Sequence, residues 1–160
     1  MNRQLSGALI FLLLSLPAQA ADRITAAHIQ QLISATDTAA INRDAAGIGA
    51  HLSDWFLKII EFEHKNQLAR VRLGKDKYLE LITAGWEDIG EYDYQRDDIV
   101  IHIMQGGLSG QSYSTVTETM VRDGRKITSR IREYATYELE NGRPVILYVT
   151  SHTLVGDTTP

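Results

Sequence analysis

The chain contains no cysteine, which excludes disulfide staples, thiol catalysis and thiolate metal sites. Its stability must come from a buried core. It also has no run of five like charges, no repeat of solenoid period and no low-complexity tract, so its globular part reads as one continuous unit. Neither Gly-x-Ser-x-Gly nor a glycine loop opening a helix occurs; Gly106-Gly107 precedes a strand-like segment instead. His28, His64 and His102 stand alone, without the His-x-x-x-His or carboxylate spacing that builds a metal centre, so no metal and no cofactor are expected. Positive charge is short as well: the formal net charge is −4, which argues against a nucleic-acid partner.

At 160 residues with 44% hydrophobic and 22% charged content, the chain suits one well-buried domain. The first twenty residues fall outside that domain. Arg3 precedes an apolar run from Leu5 to Leu16, and Pro17-Ala18-Gln19-Ala20 supplies the small residues that a signal peptidase reads. Cleavage is expected after Ala20, giving a periplasmic or secreted protein with one domain over 21–160. The apolar run falls short of the roughly 20 residues a membrane span needs, so no integral membrane segment is expected after cleavage.

Two helices are expected first. Thr25 can cap a helix over 25–42, with Ile24 stapled onto Ile29 and Leu32, Ile33, Thr36, Ala39 and Ala40 following at helical spacing. Asp44 can cap a second helix carrying Ile48, Leu52, Trp55 and Phe56 on one side. Phe56 to His64 reads as a strand and 65–73 is ambiguous. Tyr78, Leu79, Ile82 and Trp86 mark a third helix over 75–89, with Gly90 at its C-cap. A strand from Asp98 to Met104 follows, with Ile99, Ile101 and Ile103 on one face.

From Gln111 to Val155, three β-prone segments are joined by Arg122-Asp123-Gly124-Arg125 and Glu140-Asn141-Gly142-Arg143. Asp-Gly and Asn-Gly are the preferred pairs for two-residue hairpin turns, in which both residues take positive φ. An antiparallel meander is expected. Its order after the preceding elements is ααβαββββ: an α+β cone in which a curved antiparallel sheet holds three helices from the N-terminal side on its concave face.

With two-residue turns, register follows by counting outward. The helix-facing side then carries Val116, Ile131 and His152 in one row, Ser114, Glu133 and Thr150 in the next, then Ser112, Ala135 and Tyr148, and then Tyr137 and Ile146. An unpaired buried carboxylate is costly, so Glu133 must be hydrogen-bonded, ion-paired, protonated or open to a wet cavity. His152 lies diagonally within reach, and the two read either as a structural pair or as a general base with its orienter. Glu118, nearer the mouth, is expected to be solvated. Ser114, Val116, Ile131, Tyr137, Tyr148 and Thr150 are expected to line a pocket, joined by His51, Trp55 and Trp86 from the helices. The opposite face carries Tyr113, Tyr134, Arg130 and Arg132 and is either solvated or covered by a second subunit.

The chain resembles the nuclear transport factor two-like superfamily, close in style to its SnoaL-like members, over nearly its whole length beyond residue 20. The resemblance is carried by Asp44-Ala45-Ala46 through Leu52-Ser53-Asp54-Trp55-Phe56, by Lys75-Asp76-Lys77-Tyr78-Leu79, and by the segment from Ser129 to Arg143. Pro144 stands where the family usually has tryptophan. The resemblance implies a small, largely apolar ligand between helices and sheet, and a homodimer through the outer sheet face. It also leaves open a dehydratase, cyclase or isomerase using Glu133 and His152 with Tyr148 or Tyr137 as donor, or a non-enzymatic interaction module.

Overall fold

In a computed structural model, residues 21–64 and 67–159 are described; the leader-like segment 1–20 lies outside them. The helix starts follow their capping side chains. Thr25 accepts from the His28 amide at 3.2 Å and opens α1 (Ala26–Ile41), where Ile24 and Ile29 are both almost inaccessible, at 2% and 0%. Asp44 accepts from the Gly47 amide at 2.8 Å and opens α2 (Ala45–Gly49).

That second helix ends sooner than its apolar spacing implies. Gly47 and Gly49 weaken it, and the β-branched and aromatic run behind them pairs as β1 (Leu52–His64), so Leu52, Trp55 and Phe56 are strand residues. The ambiguous stretch becomes β2 (Gln67–Gly74), hairpinned onto β1. The third helix, α3 (Lys75–Trp86), ends before Gly90: Asp88 takes the positive φ, +57°, and the Gly90 amide donates to the Val121 carbonyl at 2.8 Å. Next, β3 (Tyr92–Ile103) begins at Tyr92 rather than Asp98, its alternation interrupted by a bulge where Asp98 takes a φ of +55°.

The meander forms from β4 (Ser109–Arg122), β5 (Arg125–Glu140) and β6 (Arg143–Thr159). Both turns have two residues with positive φ, 51° and 73° at Asp123-Gly124 and 52° and 72° at Asn141-Gly142. Arg122 therefore opposes Arg125 and Glu140 opposes Arg143, and the expected β4–β5 register holds from end to end. The sheet order is β2-β1-β6-β5-β4-β3, with β1 running parallel to β6. The expected antiparallel sheet of five strands is thus a curved, unclosed mixed sheet of six. The parallel pair follows from topology: the chain returns to β1 only through its last strand, which enters beside β1 in the same direction.

The expected β6 register fails at two bulges. Tyr137 opposes Ile146 but Thr136 opposes Tyr148, leaving Leu147 as a bulge; Leu154 is skipped in the same way between Ile131–Thr153 and Arg130–Val155. A one-residue slip exchanges the two faces of a strand. Between the bulges, Val149, Ser151 and Thr153 face the helices, while Tyr148, Thr150 and His152 face outward. The core gathers where α1, α2 and the sheet meet, around Ile24, Ile29, Leu32, Ile33, Leu52, Phe56, Ala135, Tyr137, Ile146 and Val149. None of the described helices is long and apolar enough to cross a membrane.

Candidate functional site

Alternate residues of β1, β3, β4 and β5 point into the space under α1 and α3, where a cavity of about 340 Å³ remains. Its apolar wall comes from both layers: Phe56, Ile60, Val116, Ile131, Ile146 and Val149 from the sheet, and Ala40, Tyr78, Leu81, Ile82 and Trp86 from the helices. Leu81, 48% exposed, lies at the rim.

The polar wall is centred on Glu133 and Arg96. Glu133 Oε2 accepts from Lys58 Nζ at 2.9 Å, and Oε1 accepts from Arg96 Nη1 at 2.8 Å. Arg96 Nη1 also donates to Ser114 Oγ at 2.6 Å, its Nη2 to Tyr94 Oη at 2.6 Å, and its Nε to Asp37 Oδ1 at 3.0 Å. Tyr94 in turn donates to Asp37 at 3.0 Å. Lys58 also lies over the Tyr78 ring, 5.6 Å from its centre. Two cations and two carboxylates are therefore closed on one another, with side chains between 9% and 19% exposed. A buried network of this kind is stable only when each member is satisfied.

Electrostatics follow the geometry. Burial alone would push the Glu133 carboxyl up, but Lys58 and Arg96 outweigh it and hold it down at about 2. Burial likewise opposes the Lys58 charge, and Glu133 overcomes it, so the ammonium is held above its ordinary range. Glu118 behaves in the opposite sense. It accepts from Tyr92 Oη at 3.1 Å, and burial raises its carboxyl above the ordinary range, outweighing the Tyr92 hydrogen bond and the pull of Lys58 and Arg96.

The structure sorts the expected site residues into three groups. Val116, Ile131 and Trp86 line the cavity. Ser114 and Tyr137 face the same side but are spent beneath it, Ser114 on Arg96 and Tyr137 on Ser112 at 2.8 Å. Tyr148, Thr150 and His152 lie on the outer face because of the Leu147 bulge, so Glu133 and His152 are not brought together. His152 sits 3.8 Å from Glu61 there, while Glu133 opposes Ser151. A Glu133–His152 acid–base pair is excluded by this placement. Trp55, in β1 rather than on a helix, is 84% exposed, and His51 precedes β1 and does not line the cavity. Glu118, expected to be solvated, is half-buried and faces the cavity.

Sequence reasoning missed Lys58, Arg96, Asp37 and Tyr94, although signals were present. Lys58 shares strand parity with Phe56 and Ile60, Arg96 shares it with Tyr92 and Tyr94, and Asp37 lies one turn beyond Ile33 on the buried stripe of α1. Charges interleaved with inward-facing residues on different elements point to a shared buried network.

No protein-family model matches the chain, and no curated protein does so either. Solved structures do match in architecture. An NTF2-like protein from Cytophaga hutchinsonii superposes with a TM-score of 0.61 at 15% identity, over 79% of this chain and 95% of that one. The chain has the nuclear transport factor two-like fold. Within that fold it is also similar to the hexachlorocyclohexane dehydrochlorinase LinA-type3 from Novosphingobium barchaimii, with a TM-score of 0.66 at 12% identity over 83% of this chain and 88% of that one. A ketosteroid isomerase-like protein from Erwinia carotovora atroseptica superposes with a TM-score of 0.59 at 16% identity, over 81% of this chain and 95% of that one. The nuclear transport factor two-like fold accommodates both ligand binding and catalysis, so activity must be argued from the cavity itself.

Proposed function

We propose that this chain, acting in the periplasm or outside the cell, binds a small, largely apolar molecule in the cavity between its helices and sheet. The observation that carries the reading is the cavity's construction: about 340 Å³, walled mainly by aliphatic and aromatic side chains, with a few polar groups, Lys58, Arg96, Glu118 and Glu133 among them. Small-molecule sites are built in this way. The leader-like segment supports the compartment. Binding is favoured over catalysis because the polar wall is closed on itself and the Glu133–His152 pair does not form.

The two tryptophans give a direct test. Trp55 is exposed and lies outside the cavity, so Trp55→Phe leaves Trp86, in the cavity wall, as the sole indole reporter. Titration of that variant with neopentylbenzene is expected to shift Trp86 emission saturably and to raise Tm. No saturable change in emission, with Tm unmoved, sinks the proposal.

A homodimer through the outer face is proposed on separate grounds. Tyr113, Tyr134 and Tyr148 form a row there with ring centres 4.9 and 6.4 Å apart, and Tyr113 is 49% exposed. Light scattering coupled to size exclusion should give twice the monomer mass, and Tyr113→Lys should halve it. A monomer mass for the unaltered chain rejects the dimer.

A further inference from the structure

One corner of the cavity is chemically unlike the rest. Lys58 and Arg96 are each held by a carboxylate, Glu133 and Asp37 respectively, with Glu133 shared between both cations. Glu118 is left as the odd charge: among the described residues its hydrogen-bond partner is the neutral Tyr92 hydroxyl. The aromatic rings divide in a parallel way. Tyr78, Tyr92 and Tyr94 already carry protein cations on their faces, Lys58, Arg43 and Arg96, at 5.6, 5.6 and 5.9 Å from the ring centres. Trp86 carries none among the described residues, although indole is the ring best suited to a cation. It meets Tyr92 edge-on at 6.3 Å, and Tyr92 reaches Glu118, so the uncompensated carboxyl and the vacant indole share one corner.

We propose that this corner of Glu118, Tyr92 and Trp86 receives the cationic head of an amine or quaternary ammonium ligand, with the remaining cavity taking its apolar body. The inference rests on the cavity being a ligand site and names the class of ligand. A cation supplies what Glu118 lacks, an opposite charge paired with it, because Lys58 and Arg96 are held by Glu133 and Asp37 and Arg43 donates to the Ile89 and Gly90 carbonyls. A carboxylate ligand would face Glu118 with like charge, and a neutral one would gain little from it.

The groups facing Glu118 set its titration. Tyr92, Tyr94 and Arg96 approach from β3, Lys58 from β1, Glu133 from β5 and Tyr78 from α3, while Arg43, between α1 and α2, lies over the Tyr92 ring. Lys58 and Arg96 favour its ionised form and Glu133 opposes it, while burial raises its carboxyl. In the empty cavity a proton therefore competes with the ligand cation for Glu118. Affinity for a permanent cation must rise with pH until Glu118 is fully ionised, and affinity for a neutral molecule of the same shape must not.

Benzyltrimethylammonium and neopentylbenzene have nearly the same shape and differ by one permanent charge. Trp86 emission in the Trp55→Phe protein reports binding of either. At pH 8 the ammonium probe is expected to bind roughly tenfold more tightly, and that preference should shrink as the pH falls through the Glu118 carboxyl's range. Glu118→Gln should bring the two affinities together at every pH. Binding of neopentylbenzene without preference for the cation overturns this inference and leaves the ligand site standing; failure of both probes overturns the two together. Preference that persists in Glu118→Gln, or affinity for the ammonium probe that falls as pH rises, also overturns it, because the Glu118 charge would then not be what holds the cation.

Discussion

Glu133→Gln is expected to lower the stability of the folded protein by about 3–5 kcal/mol, the cost of leaving buried cations without their partner. The substitution keeps the shape of the side chain but removes the charge that Lys58 and Arg96 share at 2.9 and 2.8 Å. Asp37 remains to hold Arg96, so the larger loss falls on Lys58. Urea unfolding should show a lower midpoint at unchanged slope. Combining Glu133→Gln with Lys58→Met should cost less than the sum of the two single changes, because the second removes the charge that the first strands. Strict additivity would mean that the pair is not coupled.

Acid should reproduce this effect in the unaltered protein. Glu133 is depressed from 4.5 to about 2 on folding, so the stability it confers is fully present above pH ~4.5 and is lost as pH falls through about 2. The contribution is on the order of 3 kcal/mol. Glu118 has the opposite sign, because its carboxyl is raised in the fold. Ionising it costs stability as pH rises above its unfolded value, so Glu118→Gln should flatten that loss.

Deletion of Leu147 is expected to leave the faces of the sheet in place, because it removes the surplus residue and lets Tyr148 follow Ile146 directly opposite Thr136. Were Leu147 instead retained and paired with Thr136, Tyr148, Thr150 and His152 would turn toward the helices, while Val149 and Ser151, each 6% exposed, would turn away. The near-ultraviolet circular dichroism of the buried aromatics should therefore survive the deletion, at a loss of about 1–2 kcal/mol for the strand bend that the bulge supplies. Collapse of that signal in the deletion variant would show that the register beyond Ile146 depends on the bulge.

The same residue separates what was legible in the chain from what was not. The turns declare themselves because Asp123-Gly124 and Asn141-Gly142 supply the positive φ that a two-residue hairpin demands, and β4–β5 register then follows by counting. Leu147 has no such mark. It lies in an apolar run, Val145-Ile146-Leu147, where a skipped residue changes neither composition nor propensity, so counting put His152 beside Glu133. The second helix misled for a related reason: Ile48, Leu52, Trp55 and Phe56 satisfy helical spacing, but the backbone beyond Gly49 finds its partners in β6 and β2. The buried charge of Glu133 was legible as an anomaly demanding partners. Those partners, Lys58 and Arg96, come from strands distant in sequence, one of them begun six residues too late in the pattern reading.

The position of β6 bears on how the protein is made. Strand β6 lies between β1 and β5, so β1 and β2 have no sheet to join until residues beyond Arg143 are available. A growing chain can form the β4–β5 hairpin, but the two halves of the sheet cannot be united before the residues of β6 have been made. Folding must therefore close the long loop from Leu52 to Ile146 in its decisive step, which places this protein among the slow, high-contact-order folders, at milliseconds to seconds. Loss of the C-terminal strand would remove the seam of the sheet, whereas loss of β2 would trim only an edge.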